Sequence, residues 1–304
     1  MKAIIVGMGV QGKKRKKFLG RDFVYTVDKF AKADFKSIYK VPLNKFDTVF
    51  ACVPDHEKLK IVNYCINNKK HVLLEKPFIV KNSKIFFDLE KRARKKGIVC
   101  YTAYNHRFEP IIIKMHNLIK SKKLGKTYRC KIFYGNGTAL LVKRSKWRDK
   151  GMGVLTDIGS HLLDLCLYWF GNQINLLKIT GLNKFENKAP DHAVINLEIN
   201  RIKIELEMTL CMWKNTFICD VIASKGSAHL NSLCKWGKNS FCYRKRRFPS
   251  GRPYEKIISF KRDDPTWKAE YLFFKNLIKN KTKTSLKKDL ILNKSFLQLS
   301  KSIN

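Results

Sequence analysis

The sequence predicts an α/β protein of two domains, a parallel α/β domain followed by a β-rich α+β domain. In the first third of the 304 residues, short apolar strands alternate with helical segments, the order that builds parallel sheets with right-handed crossovers. From Thr127 onwards the pattern changes, and strands with alternating apolar and polar residues dominate. We therefore predict domains at 1–120 and 121–304, with the C-terminal helices able to pack back on the first domain.

The predicted parallel sheet rests on five short apolar segments. They are 2–6, 24–27, 48–53, 71–74 and 99–103. The intervening segments 56–68 and 83–96 repeat apolar residues with a helical period, and one more helix is predicted at 109–121.

The second domain contains one clear hairpin. Apolar and polar residues alternate across 194–208, which predicts two strands with one solvated face and a turn near Asn200 and Arg201. Further strands are predicted at 217–223 and 227–233. A helix at 157–170 interrupts the sheet, and two helices at 266–278 and 286–303 end the chain.

The charge of the chain is strongly positive. It has 63 Lys and Arg residues against 24 Asp and Glu, a formal net charge of +39. Such an excess attracts polyanions. However, the basic residues occur in every segment, and the many lysines accompany many Asn, Ile and Phe, as A/T-rich codons would produce. We favour codon bias over a dedicated nucleic-acid function and predict no specific nucleic-acid partner.

Cysteine usage and hydropathy suggest a cytoplasmic protein. The nine cysteines contain no C-x-x-C pair and are expected to be free, mostly buried thiols in a reducing compartment. We find no secretory signal and no segment that approaches the roughly 18 apolar residues of a membrane helix. We therefore expect no membrane association.

A glycine-rich turn directly follows the first predicted strand. Gly7-x-Gly9-x-x-Gly12 opens a helix, and an acid, Asp28, ends the second strand. In this context the pattern predicts a dinucleotide site with the pyrophosphate on the helix N-terminus. The charge of Asp28 favours NAD over NADP, although Lys29 weakens that preference. The expected contacts from the turn are Gly7, Gly9, Val10, Gln11 and Gly12.

Two other strands of the same sheet end in candidate residues. Pro54 follows the third strand, and Glu75-Lys76-Pro77 follows the fourth. Ligands of parallel sheets bind at this edge, so Pro54, Glu75 and Lys76 are further candidates for the cofactor site. Pro77 restricts the backbone of Lys76 and could aim its ammonium. Taken alone, Lys76 could equally be a surface lysine.

The helix predicted at 157–170 begins with an acid and a histidine four residues apart. Asp157 and His161 would share one helical face, so the acid could orient the imidazole. Alternatively, Asp157 is a helix cap and His161 a core residue. Trp147 and Arg148 precede this helix, where Arg148 could bind a phosphate or carboxylate or lie in a solvated loop. No residues have the spacing of metal ligands, so no metal site is predicted.

Taken together, these motifs resemble the glucose–fructose oxidoreductase/inositol dehydrogenase (Gfo/Idh/MocA) family. The residues that match are, in the family's order, 7–12, 75–77, Asn105-x-Arg107-Phe108 and 153–164. The resemblance implies a Rossmann domain joined to an α+β domain with a large open antiparallel sheet. That sheet often forms the interface of a dimer or tetramer, so a homo-oligomer is expected.

The resemblance also implies hydride transfer between a nicotinamide and a hydroxyl carbon of a sugar, nucleotide sugar or cyclitol. It implies that Lys76 lies beside the reacting carbon, that His161 and Asp157 form the proton-transfer pair, and that Asn105 and Arg107 lie near the nicotinamide or substrate. We assign His161 as base and Lys76 as the group that polarises the oxygen. These two roles could be exchanged.

Two other functions remain open at this point. The first is a non-catalytic protein that senses NAD or a sugar on the same scaffold, although a sensor has no use for a base. The second is a polyanion-binding protein, which the charge alone suggests.

Overall fold

The computed structural model describes residues 1–145, 148–261 and 263–303. The chain forms two compact units. Met1–Asn105 and Thr266–Lys294 form the first, and His106–Pro265 with the segment from Ser295 forms the second. The helix near 110–120, which we predicted within the first domain, thus belongs to the second unit.

The helices have clear bounds. They are α1 Val10–Leu19, α2 Asp55–Asn67, α3 Ile85–Lys95, α4 Pro110–Lys120, α5 Ala139–Lys143, α6 Ser160–Phe170, α7 Thr266–Lys279 and α8 Lys287–Ser300. In the described part of the chain, none of them is long and apolar enough to cross a membrane.

The first unit contains a five-stranded parallel sheet in the order β2-β1-β3-β4-β5. Its strands are β1 Ala3–Val6, β2 Phe23–Val27, β3 Thr48–Ala51, β4 His71–Glu75 and β5 Cys100–Ala103. All five predicted strands are confirmed to within two residues. β1 and β3 are buried along their whole length, and apart from Thr48 their residues are continuously apolar rather than alternating.

Helices cover both faces of this sheet. On one face, Tyr271 and Phe274 of α7 pack with Leu19 of α1 against the strands, and the ring of Phe274 meets that of Phe50 edge-on at 5.7 Å. The apolar residues of α2 and α3 form the core on the other face. The turns that follow the strands lie at the carboxyl edge of the sheet.

The second unit contains an eight-stranded sheet in the order β13-β12-β11-β10-β6-β9-β8-β7. Its strands are β6 Thr127–Gly137, β7 Ile174–Asn183, β8 His192–Ile199, β9 Ile202–Thr209, β10 Cys211–Ala223, β11 Gly226–Asn231, β12 Asn239–Lys245 and β13 Tyr254–Phe260. All neighbours pair antiparallel except β6 and β9, which pair parallel.

The predicted hairpin is confirmed as β8 and β9. Ile199 pairs with Ile202, and the two turn residues, Asn200 and Arg201, have positive φ angles of 50° and 65°. A two-residue turn of this kind matches the twist of the strands that it joins. The sequence did not predict β7, β12 or β13. The reason is clearest for β13, which is mostly exposed on both faces and so has little apolar alternation.

The helix predicted at 157–170 begins later than expected. A π-helical turn, Leu155–Gly159, precedes α6, which starts at Ser160. Asp157 therefore lies in the π-helical turn rather than at the start of an α-helix. A Cβ on Gly159 would lie 2.9 Å from the sulfur of Met208, so the glycine lets this wide turn pack on β9. The short helix α5 was also not predicted.

The described cysteines are free, as the sequence predicts, and most of them are buried. Burial raises the pKa of several of these thiols, including Cys65, Cys166 and Cys219. They therefore behave as small core residues rather than as reactive groups.

Candidate functional site

The turn between β1 and α1 has the backbone geometry of a phosphate-binding turn. Gly7 has a φ of +94°, and a Cβ there would lie 2.3 Å from the carbonyl oxygen of Cys52. A Cβ on Gly12 would lie 1.9 Å from the carbonyl oxygen of Gly7. Both positions therefore exclude any side chain. A Cβ on Gly9 would meet no protein atom within 4 Å, so this glycine faces open space.

The start of α1 can receive an anion. Gly9 provides no side chain to cap the helix, and the first turn contains no acidic residue. Val10 and Gln11, which we predicted as cofactor contacts, are exposed in this turn. The free N–H groups and the helix dipole suit a pyrophosphate. These residues fit the dinucleotide that the sequence predicts.

Asp28 connects the end of β2 to the glycine turn. Its Oδ2 accepts a hydrogen bond from the backbone N–H of Met8 at 2.6 Å, and its Oδ1 accepts bonds from Phe30 and Ala31 at 2.8 Å. Burial opposes ionisation, but these three bonds hold the pKa of Asp28 below its ordinary value. A carboxylate has about four acceptor positions. Asp28 therefore shapes the loop and keeps room to accept a bond from a ribose hydroxyl.

Lys58 is a site residue that the sequence analysis missed. It is 2% exposed, and its ammonium donates to the carbonyl oxygen of Pro77 at 2.6 Å and pairs with Asp55 at 2.6 Å. Burial lowers the pKa of Lys58, and the Asp55 carboxylate opposes this shift. Through these bonds, α2, which begins directly after Pro54, holds the backbone that follows Lys76. In a chain with 63 basic residues, no sequence signal separates this lysine from the others.

Glu75, on the other side of Lys76, is bound by a buried arginine. Its carboxylate accepts from the Nε of Arg15 at 2.7 Å, and Arg15 also pairs with Glu270 at 2.7 Å. The guanidinium lies 4.6 Å from the centre of the Trp267 ring. Burial opposes the charge on Arg15, but the two acids raise its pKa above the ordinary value. Glu75 thus has a structural partner, and its predicted contact with the cofactor stays a prediction.

Lys76 and Asn105 lie at the same edge of the parallel sheet as the glycine turn. Lys76 directly follows β4 and is partly exposed, and Asn105 lies just beyond β5. The side-chain amide of Asn105 donates to the hydroxyl of Thr266 at 2.8 Å. Since β1, β3, β4 and β5 are parallel neighbours, the turns after them share one edge, where such sheets bind ligands.

In the second unit, Arg107 is bound to the helix of His161. Its Nε and Nη2 donate to the two carboxylate oxygens of Asp164 at 2.6 and 2.8 Å, and Asp164 is 1% exposed. The guanidinium also lies 4.9 Å from the centre of the Tyr168 ring. We predicted Arg107 near the nicotinamide or substrate. Its planar fork is engaged in fixing α6, and its predicted position near the nicotinamide or substrate stays a prediction.

Arg148 is also paired within the protein. Its Nη2 donates to Oδ2 of Asp157 at 2.8 Å, so the two predicted residues contact each other. Both side chains are partly exposed. Trp147, the other predicted residue of this loop, lies outside the described residues. The predicted pairing of Asp157 with His161 stays a prediction.

A second histidine accompanies His161. The rings of His106 and His161 meet edge-to-face with their centres 3.9 Å apart, and His106 is buried. His106 was not predicted, although it stands between Asn105 and Arg107 in one of the motifs that carry the resemblance. Across the described residues, no group of three or more His, Cys, Asp or Glu could hold a metal ion.

Two family models match the chain. The model described as "Oxidoreductase family, NAD-binding Rossmann fold" matches residues 2–104. The model described as "GFO/IDH/MocA C-terminal domain" matches residues 112–229. Together they cover most of both units.

Two curated relatives from Bacillus subtilis (strain 168) match part of the chain. Glucose-6-phosphate 3-dehydrogenase is 28% identical over 110 residues, 34% of this chain and 31% of its own length. A scyllo-inositol 2-dehydrogenase (NADP(+)) is 28% identical over 110 residues, 35% of this chain and 30% of its own length. The matched segments thus span about a third of these relatives.

Solved structures match over nearly the whole chain. Levoglucosan dehydrogenase in complex with NADH has a TM-score of 0.80 at 14% identity, covering 99% of this chain and 97% of that one. The UDP-N-acetylglucosamine 3-dehydrogenase from Acidithiobacillus ferrooxidans has a TM-score of 0.79 at 17% identity, with the same coverage. At these identities the likeness establishes the fold.

Proposed function

Because the chain belongs to the Gfo/Idh/MocA family of oxidoreductases with an NAD-binding Rossmann fold, we propose that it is a sugar or polyol dehydrogenase. Its reaction would be hydride transfer between NAD and a hydroxyl carbon of a sugar, nucleotide sugar or cyclitol. Dehydrogenases of a sugar phosphate and of an inositol are among its partial relatives, which supports this substrate class.

The observation that supports catalysis best is the support on both sides of Lys76. Lys58 binds the carbonyl oxygen of Pro77, and Arg15 binds the carboxylate of Glu75. Both supporting cations are buried. A lysine needed only for solubility gains nothing from two buried cations that fix its neighbours. A lysine that must present its ammonium to a reacting oxygen does gain from them.

The residues of the chain would divide the chemistry as follows. Lys76 polarises the substrate oxygen and stabilises the charge that develops on it. His161 accepts the hydroxyl proton, and Asp157 stabilises the protonated imidazole. A bound nicotinamide supplies the hydride acceptor. The roles of Lys76 and His161 could be exchanged. The pH dependence of kcat/KM in variants of Lys76 and of His161 would distinguish the two assignments.

The cofactor preference follows from Asp28. Its pKa is held below the ordinary value, so the side chain is a carboxylate at neutral pH. A negative charge at this position repels the 2′-phosphate of NADP. We therefore propose NAD as the preferred cofactor.

We also propose that the protein forms a homo-oligomer through the sheet of the second unit. Ile218, Ile222 and Ile257 are exposed, and the strand register places all three on one face of the sheet. Sedimentation of the wild type and of an Ile218→Asp/Ile222→Asp variant tests this. The variant should sediment as a monomer.

The free cysteines are compatible with the cytoplasm, which we propose as the location.

The dehydrogenase proposal is tested by following reduced nicotinamide. The panel combines NAD or NADP with inositols, aldoses, sugar phosphates, sugar acids and nucleotide sugars, and Lys76→Met serves as the control. We expect turnover with one substrate class, a preference for NAD, and loss of turnover in the variant with NAD binding retained. Near-wild-type turnover by Lys76→Met would overturn the assignment of Lys76. If NAD binds but no substrate of the panel is turned over, the result would instead support a sensor.

A further inference from the structure

A lysine outside every predicted motif lies beside the histidine pair. The Nζ of Lys235 is 3.4 Å from Nε2 of His106 and 3.0 Å from the hydroxyl of Tyr134. The ring of His106 in turn meets that of His161. All of these residues belong to the second unit.

The turn that bears Lys235 is rigidly anchored. It is the short 3₁₀ turn Cys234–Trp236 between β11 and β12. Glu109, which is 1% exposed, accepts a hydrogen bond from the N–H of Cys234 at 3.0 Å and one from the amide of Asn239 at 2.6 Å. Asn239 is equally buried. A buried carboxylate thus fixes the chain on both sides of Lys235. The backbone of Lys235 is therefore held in place, and the contacts with Tyr134 and His106 position its ammonium.

The ammonium of Lys235 has a donor to spare. An ammonium has three N–H donors. Among the described residues, its hydrogen-bond neighbours are Tyr134 and His106, and the centre of the Trp236 ring lies 4.7 Å from it. In the described part of the chain no carboxylate forms an ion pair with it. Asp264, Glu109 and Asp157 act on it from a greater distance. The side chain as a whole is exposed, while the protein atoms crowded around its ammonium lower the pKa of Lys235 to about 8.

We propose that Lys235 binds an anionic group of the substrate, a phosphate or a carboxylate, next to His161. The inference rests on the proposed dehydrogenase function and narrows its substrate class to anionic sugars. A neutral hydroxyl could be bound by an amide or a hydroxyl, whereas a positioned cation that forms no ion pair with the described carboxylates selects for negative charge. Tyr134 and His106 orient the cation, and the side chain that carries it is exposed.

The test compares kcat/KM for charged and neutral members of matched pairs. The pairs are glucose 6-phosphate with glucose, glucuronate with glucose, and UDP-N-acetylglucosamine with N-acetylglucosamine, which separate the sources of the anion. We expect the wild type to prefer the charged member of at least one pair. Lys235→Met should reduce that preference by about tenfold or more, the loss expected for one hydrogen bond between charged groups. Lys235→Arg should keep most of it.

Lys238→Met is the matched control. Lys238 lies three residues further along and is exposed, so its substitution removes the same charge from the same region. The preference of this variant should equal that of the wild type. A wild type without preference in every pair, or an equal preference in the wild type and Lys235→Met, would overturn the inference.

Failure of the dehydrogenase proposal gives a different result. If no substrate is turned over although NAD binds, calorimetric titration with glucose 6-phosphate, glucuronate and UDP-N-acetylglucosamine tests the inference directly. Binding that weakens about tenfold in Lys235→Met but not in Lys238→Met supports the anion site. Equal binding by all three proteins, or no binding by the wild type, overturns it.

Discussion

Arg107 and Asp164 form a two-point ion pair, with Nε–Oδ2 at 2.6 Å and Nη2–Oδ1 at 2.8 Å. The pair joins the segment before α4 to α6, three residues beyond His161. Because Asp164 is 1% exposed, its charge is costly to bury, and the arginine offsets part of that cost.

Loss of this arginine should destabilise the fold. We expect Arg107→Met to reduce the free energy of unfolding by about 3–5 kcal/mol, because the buried carboxylate of Asp164 loses its two-point ion pair. Arg107→Lys should lose less, since it keeps the charge but not the planar fork. Denaturant unfolding measures both. The double variant Arg107→Met/Asp164→Leu should recover part of the loss. If Arg107→Met instead weakened substrate binding at unchanged stability, the role predicted from the sequence would be right.

Lys58 should affect turnover through Lys76. In Lys58→Met the carbonyl oxygen of Pro77 loses its buried donor. We expect kcat to fall by about tenfold or more, because small displacements of a reacting group are costly. The KM for NAD should change much less. Lys60→Met, an exposed lysine on the same helix, is the control for charge. Equal kcat values in the two variants would contradict a positioning role for Lys58.

Two glycines of the turn should respond differently to alanine. At Gly12 a methyl group would collide with backbone, so Gly12→Ala should lower the melting temperature and weaken NAD binding together. At Gly9 a methyl group meets no protein atom. Gly9→Ala should therefore leave the melting temperature unchanged but weaken NAD binding, because it obstructs the approach of the pyrophosphate. Unchanged NAD affinity in Gly9→Ala would argue against this binding mode.

Asp28 should make stability depend on pH in the acid range. Its folded pKa lies below the unfolded value of about 3.9, so the ionised form stabilises the fold above that pH. This contribution is lost as the pH falls through the lower, folded value. The difference in unfolding free energy between wild type and Asp28→Asn should thus be constant near neutrality and shrink in acid. A difference independent of pH would refute the assignment.

The sequence predicted best what depends on local pattern. The five parallel strands, the β8–β9 hairpin and the glycine turn each have a period or spacing within a short segment. Lys58, His106 and Lys235 were missed because their environment comes from residues far away in the chain. Lys58 donates to the carbonyl oxygen of Pro77, and Lys235 donates to the hydroxyl of Tyr134. No local pattern marks a lysine whose importance depends on such a partner.

Arg107 and Arg148 illustrate a related limit. The family resemblance implied that Arg107 lies near the nicotinamide or substrate. Arg148 was a candidate for binding a phosphate or carboxylate because it precedes the helix of His161. The structure pairs them with Asp164 and Asp157, which belong to the same motif as His161. A sequence shows which charged residues lie near a motif. It does not say which charges are neutralised within the protein.

The parallel pairing of β6 with β9 bears on how the protein folds. Arg129 pairs with Lys203, and residues 130–202 must form a long excursion before these strands can meet. Such distant contacts cost chain entropy early and are slow to form. The excursion includes α6 and therefore His161. The chain is thus expected to acquire its histidine pair late in folding, after the local hairpins of the sheet have already formed.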